Sequence, residues 1–170
     1  MTELTRDYAV RIYGLPATKG SMTCKARHLK GTHQNLQPDN EDALNPWRAL
    51  VEKAGRALPV TDLVGPIGVE MTITIARPKS HYRTGRNAHL LKDTAPLWPC
   101  QEGTGDVDKY GRAVLDSLQK GKPSSPGAGT MQTDAQVVEL ISRKTYPDTP
   151  GATDRLDRPG CVIRIYPIGN

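Results

Sequence analysis

Between residues 67 and 76 two kinds of side chain alternate without a break: Ile67, Val69, Met71, Ile73 and Ile75 against Gly68, Glu70, Thr72, Thr74 and Ala76. Successive side chains of a strand point to opposite faces, so this period of two specifies a half-buried β-strand. Pro78 closes it. A strand needs a sheet, and weaker signals supply its members. Tyr8-Ala-Val-Arg-Ile-Tyr13 alternates, residues 135–146 and 161–166 read as strands, and a Pro/Asp/Gly-rich turn between the last two predicts a hairpin. A short strand is expected near residues 21–26. Trp47, Leu50, Val51, Ala54 and Leu58 recur at helical spacing, with Pro46 suited to the first helical turn. A second helix is expected from about Asp106 to Lys120. The intervening stretches 14–45, 79–105 and 121–129 read as loops. Helices interleaved with strands give an α/β domain, on the border with α+β, built on a mixed sheet with two main helices. A chain of 170 residues suits one such domain, residues 1–170.

Charge is distributed unevenly. Residues 14–38 hold Lys19, Lys25, Arg27 and Lys30 and no acid; residues 77–99 hold Arg77, Lys79, Arg83, Arg86 and Lys92 against Asp93 alone. These segments carry +8 of a formal net charge of +5, so the rest of the chain is net −3. Basic loops around an acidic remainder suit a protein that grips phosphates and holds a metal cation. Cys24, Cys100 and Cys161 are odd in number and widely spaced, which argues against a disulfide framework or a zinc site. With no signal-peptide pattern and no apolar run of membrane-spanning length, a soluble, cytoplasmic protein is expected, with no membrane partner.

The chemistry is concentrated in Gly105-Asp-Val-Asp-Lys-Tyr-Gly-Arg-Ala-Val-Leu-Asp-Ser-Leu118. On a helix, Val107, Tyr110, Val114 and Leu118 form the apolar stripe, and Asp108, Arg112 and Asp116 fall at i, i+4 and i+8 on a neighbouring one. Two readings fit. Asp106 and Asp108 cap the helix and complement its dipole, with Asp108–Arg112–Asp116 an ion-pair ladder. Alternatively the acids form a site with Asp134, which stands at the mouth of an apolar strand in Met131-Gln-Thr-Asp-Ala-Gln-Val-Val138. If Asp106, Asp108 and Asp134 converge, each pair at ~5 Å and an effective dielectric of ~20 repels by about 3 kcal/mol. Such a cluster needs protons, basic neighbours or a cation. Mg²⁺ takes carboxylate and water oxygens and leaves room for phosphate, and the bound ion activates water for phosphodiester hydrolysis.

Asp106-Val-Asp108-Lys-Tyr-Gly-Arg112-Ala-Val-Leu-Asp116-Ser-Leu118, followed by Asp134-Ala-Gln-Val137, resembles the RusA family of crossover-junction endodeoxyribonucleases. That pattern has an Asp-x-Asp start, a basic residue four positions on, an Asp-x-Leu end and a downstream Asp-Asp-x-x-Val. Lys79-Ser-His-Tyr-Arg-Thr-Gly-Arg86 is similar to a loop of longer phage and actinobacterial members, and Gly14-Leu-Pro-Ala-Thr-Lys-Gly20 to their opening turn. The resemblance implies that Asp106, Asp108 and Asp134 bind Mg²⁺, with Mn²⁺ as the alternative. It puts Arg112 in the place of a functional Lys and Asp116 at a further acid. It implies a homodimer that resolves four-way DNA (Holliday) junctions in recombination and repair, leaving 5′-phosphate and 3′-hydroxyl ends. Two departures stand out. Thr133 replaces the first Asp of the downstream pair, and Arg112 is a planar fork rather than a point charge. Lys109, beside Asp108, is the alternative source of an ammonium.

Lys19, Lys25, Arg27, Lys79, Tyr82, Arg83 and Arg86 are the expected DNA contacts, the rival reading being a solvated surface. The loop 79–92 is expected beside the acidic cluster. His28, His33, His81 and His89 are expected to be solvated, with phosphate contact by His81 or His89 as the alternative. Trp47 and Trp98 are expected to pack. A four-way junction has near two-fold symmetry and needs two cuts, which favours a C2 dimer. The rival functions are a non-catalytic DNA-binding or phage structural protein, and a nuclease for other branched DNA.

Overall fold

The computed structural model describes residues 8–20, 22–24, 36–38, 40–121 and 127–169. Four strands form a mixed sheet in the order β1-β6-β4-β5: β1 (Tyr8–Tyr13), β4 (Ile67–Thr74), β5 (Val137–Thr145) and β6 (Gly160–Pro167). Two short strands, β2 (Met22–Cys24) and β3 (Leu36–Pro38), pair separately. Helices α1 (Glu41–Arg56) and α2 (Val107–Leu118) pack on each other and, at their flanks, on β1 and β5. The result is a small α+β domain with a mixed four-stranded sheet and two helices.

The alternating segment became the centre of the sheet. β4 pairs parallel to β5 on one side and antiparallel to β6 on the other. Its Ile67, Val69, Met71 and Ile73 join Trp47, Val51, Val114 and Leu118 in the core. Each such fully buried aliphatic side chain contributes on the order of 1.5–3 kcal/mol. The expectation of a half-buried strand is corrected, because Gly68, Thr72 and Thr74 on the second row are buried too. The segment after β5 covers that face: the Leu156 amide donates to the Thr74 hydroxyl, and Asp154 accepts from Arg164 of β6 through both carboxylate oxygens. The predicted hairpin is also corrected. β6 returns between β1 and β4, so β4 separates it from β5. A local turn signal cannot distinguish a hairpin from a chain that crosses to the far side of the central strand.

Helix α1 begins five residues before the expected start, and Pro46 lies inside it rather than in its first turn. The extra turn buries Leu44, which extends the stripe of Trp47 and Val51. Pro46 is exposed, so the carbonyl deprived of its helical donor faces water. In the second helix Val107 stays partly exposed, while Tyr110, Val114 and Leu118 are buried as expected. Strands β4 and β5 with α2 between them form a βαβ unit, so α2 runs antiparallel to both strands. Among the described residues no helix is long and apolar enough to cross a membrane.

Candidate functional site

The N-terminal end of α2 lies at the C-terminal end of β5, and two side chains of β5 fix this. Lys144 Nζ donates to the Gly105 carbonyl at 2.6 Å and to Thr104 Oγ1 at 3.1 Å, and Ser142 Oγ donates to the Val107 carbonyl at 3.4 Å. Gly105 turns the chain into the helix with φ +75°, and a Cβ there would come within 2.8 Å of the Tyr110 ring and 2.9 Å of Thr18. Both the left-handed backbone and the lack of space require glycine. Asp106 is the N-cap residue, although its side chain makes no capping hydrogen bond. It turns instead to Lys109, with Nζ and Oδ2 2.9 Å apart. The hydrogen bond and charge of Lys109 hold the Asp106 carboxyl below its ordinary range, with the Lys144 ammonium adding to the effect; Asp106 raises Lys109 in turn.

Asp108 sits in the first turn of α2, exposed, two residues from Asp106. Arg112 is exposed one turn further on. The expected Asp108–Arg112–Asp116 ladder is not formed: among the described residues Asp116 pairs with Lys19 at 2.6 Å, and neither Asp108 nor Arg112 has an ion-pair partner. Lys19, expected to reach DNA, is thereby tied to α2, where its backbone amide also donates to the Lys109 carbonyl. That bridge pins the 14–20 turn against the helix.

Asp134 lies elsewhere. Its amide donates to Gln119 Oε1 at 3.4 Å, so it stands at the C-terminal end of α2. Twelve residues at about 1.5 Å each separate it from Asp106 by roughly 18 Å along the helix. The expected convergence of Asp106, Asp108 and Asp134 within one chain is therefore corrected. Among the described residues no three Asp, Glu, His or Cys side chains come together. The physical reason is the βαβ geometry: a residue that opens α2 and one that opens the following parallel strand must lie at opposite ends of the helix. Thr133, the departure from the Asp-Asp pattern, caps a single 3₁₀ turn (Asp134–Gln136) and, with Gln136, completes a capping box that presents Asp134 to solvent.

The basic 77–105 connection emerges at the Asp106 end of the sheet, since it leaves the C-terminal end of β4 and leads directly into α2. Lys79 and Arg86 are exposed and make no ion pair among the described residues. Arg83 pairs with Asp93 at 2.8 Å and donates to the Leu91 carbonyl; Tyr82 is half-buried. Lys25, Arg27, His28 and His33 lie outside the described residues. His89 is exposed, as expected. His81 is not: it is buried between Arg77 and Gln101, beside the Tyr146 ring, so neither solvation nor phosphate contact describes it. Trp47 packs in the core, whereas Trp98 is half-exposed.

Sequence reasoning missed Lys144. Its signal was available in the alternation of β5, which puts Lys144 in the row of Leu140 and Ser142, the row turned toward α2. A lysine in a helix-facing row at a strand end is out of pattern. The site therefore comprises Asp106 and Asp108, with Lys109, Arg112 and Lys144 around them. Asp106 and Asp108 are exposed carboxylates at the start of α2, Asp108 without an ion-pair partner among the described residues, and carboxylate oxygens are the ligand type that a hard divalent cation takes. No family model matches this chain, and no curated protein matches it.

Proposed function

We propose that the protein is a metal-dependent endodeoxyribonuclease that cuts four-way DNA junctions, as its resemblance to the RusA family implies. The observation that carries this reading is that Asp106 and Asp108 open α2, with Lys109 paired to Asp106, Lys144 bonded to the Gly105 carbonyl just before it and Arg112 one turn on, at the end of the sheet where the basic 77–105 loop emerges. Asp106 and Asp108 would hold Mg²⁺ or Mn²⁺, which when bound activates water and stabilises the leaving oxygen of a phosphodiester. The chain's own residues supply the rest. Arg112 presents a guanidinium fork to phosphate oxygens, and Lys109 an ammonium to developing negative charge. Lys144 fixes the turn that aims Asp106. Lys79, Arg83 and Arg86 bind the DNA backbone.

A second copy of the chain accounts for Asp134. β5 is one of the two outer strands of the sheet, and its Val138 and Leu140 are 63% and 47% exposed. Among the described residues its outer edge is unpaired, and an unpaired edge is a template for another strand. If two β5 strands pair antiparallel about a two-fold axis, the start of each lies beside the end of the other. Asp134 of one copy then comes to the Asp106–Asp108 end of its partner, twice per dimer. Two equivalent sites match the two cuts a junction requires.

The test is cleavage of a synthetic four-way junction in Mg²⁺, with flap and linear duplex DNA alongside. Wild type should cut the junction in preference, and Asp108→Asn should lose at least about a hundredfold in rate. Equal rates would remove the mechanism. The separation of Asp134 from Asp106 favours one rival, a non-catalytic DNA-binding protein, which would bind junctions with ordinary salt dependence and cut none.

A further inference from the structure

A chain of polar contacts through the buried Arg77 and His81 side chains ends in an exposed amide. Arg77, with its side chain 3% exposed, donates through Nε and Nη2 to Asp148 Oδ1 at 2.9 and 2.7 Å. Its Nη1 donates to the Pro96 carbonyl at 2.8 Å and lies 3.4 Å from His81 Nδ1, while its guanidinium stacks 4.1 Å over the Tyr146 ring. An arginine has only donors, so His81 Nδ1 accepts and Nε2 carries the proton. Nε2 then donates to Gln101 Oε1 at 2.8 Å. With its oxygen engaged by His81, the exposed Gln101 keeps an NH₂ group that has no partner among the described residues. Five residues from three segments, Arg77 and His81, Pro96, and Tyr146 and Asp148, thus orient one exposed carboxamide.

Gln101 stands on the rim of a cleft of about 280 Å³. The walls are the aliphatic side chains of Leu15, Pro16, Ile75 and Pro78, and Glu102 adds an exposed carboxylate to the same rim. The cleft borders Thr104, two residues before Asp106, so it opens beside the acidic end of α2. Its construction is apolar across the faces and polar on one edge, with a fixed donor beside an acceptor. A nucleobase has flat faces and a hydrogen-bonding edge that matches this. A base one nucleotide from a phosphate held at Asp106 and Asp108 would reach it.

Resting on the nuclease reading, we propose that this cleft receives an unpaired base next to the scissile phosphate. Gln101 donates to an acceptor on its pairing edge, and Glu102 accepts from the neighbouring N–H. Bases at a branch point are the least costly to unstack, so the cleft favours branched over continuous duplex DNA.

The experiment places 2-aminopurine at each position flanking the branch of a synthetic junction, and binds it to the full chain in Ca²⁺ so that occupancy is read without cutting. Binding should raise the fluorescence at least about twofold at one position, as an unstacked base does. Gln101→Ala should remove most of that rise while gel-shift affinity for the junction stays within about threefold. Leu15→Trp, at a side chain 73% exposed and therefore harmless to folding, should block the cleft and abolish the rise independently. A bound junction with no rise at any position, or a rise unchanged in both variants, overturns the cleft proposal alone. A rise without cutting in Mg²⁺ supports the cleft and overturns the nuclease chemistry. Absence of junction binding overturns both.

Discussion

Asp154 illustrates how much a single side chain can organise away from the site. It adopts φ +53°, a left-handed conformation that Asp and Asn tolerate better than other side chains. Both carboxylate oxygens accept from Arg164 at 2.7 Å. The Arg164 hydrogen bonds hold its carboxyl below the usual range, with the Arg164, Arg11 and Arg143 charges reinforcing them against partial burial. A carboxyl whose folded-state pKa is depressed stabilises the protein above its unfolded value, near pH 3.9, and loses that contribution as pH falls through the lower folded value. Asp154→Asn keeps the backbone preference and removes the charge. It should cost about 1–2 kcal/mol at neutral pH and progressively less as pH falls from about 4 toward 2, measured as the urea midpoint across that range. A difference unchanged between pH 7 and pH 2 would refute the assignment. At the α2 end, Asp106 and Asp108 were legible in the sequence because the Asp-x-Asp spacing opens a helix. Lys144 and Gln101 were not, because their roles depend on contacts 39 and 20 residues away.

At the scale of elements, Gly55 of α1 packs tightly against both the 127–130 segment and the end of α2. A Cβ on Gly55 of α1 would come within 2.6 Å of Ala128 Cβ and 3.1 Å of Leu118 Cδ2 in α2. In a free helix, Gly→Ala stabilises by up to about 1 kcal/mol. Here the clash decides the sign: Gly55→Ala should destabilise by about 1–3 kcal/mol, read from thermal or urea unfolding. A stabilised variant would mean that α1 and α2 can move apart freely. The same closeness holds α2 on the sheet and thereby fixes where the Asp106 turn lies.

The whole-molecule scale decides whether Asp134 takes part in the chemistry. Paired through β5, a D108N chain and a D134N chain form one site from the intact parts of each. Coexpressed, the two inactive variants should regain junction nicking, with about a quarter of the wild-type number of sites if they pair at random. Each nick should stay unpaired, because the second site in that dimer carries both substitutions. If Asp134 served its own chain, the mixture would remain as inactive as its components. Sedimentation of the active wild type at 18.6 kDa rather than twice that mass would also defeat the pairing.

The sequence alone determined the strands β1, β4, β5 and β6, both helices and the Asp-x-Asp opening of α2, because each is written in a local period or spacing. It also pointed to a mixed main sheet. Only the tertiary structure decided that β4, rather than a terminal hairpin, is the sheet's centre, and that its second face is covered. It also decided that α2 separates Asp134 from Asp106. Strand order and the direction of a crossover depend on contacts between residues far apart in sequence, which no local pattern encodes. The same holds for the Asp148–Arg77–His81–Gln101 chain, whose members read in sequence as unrelated polar residues of long loops.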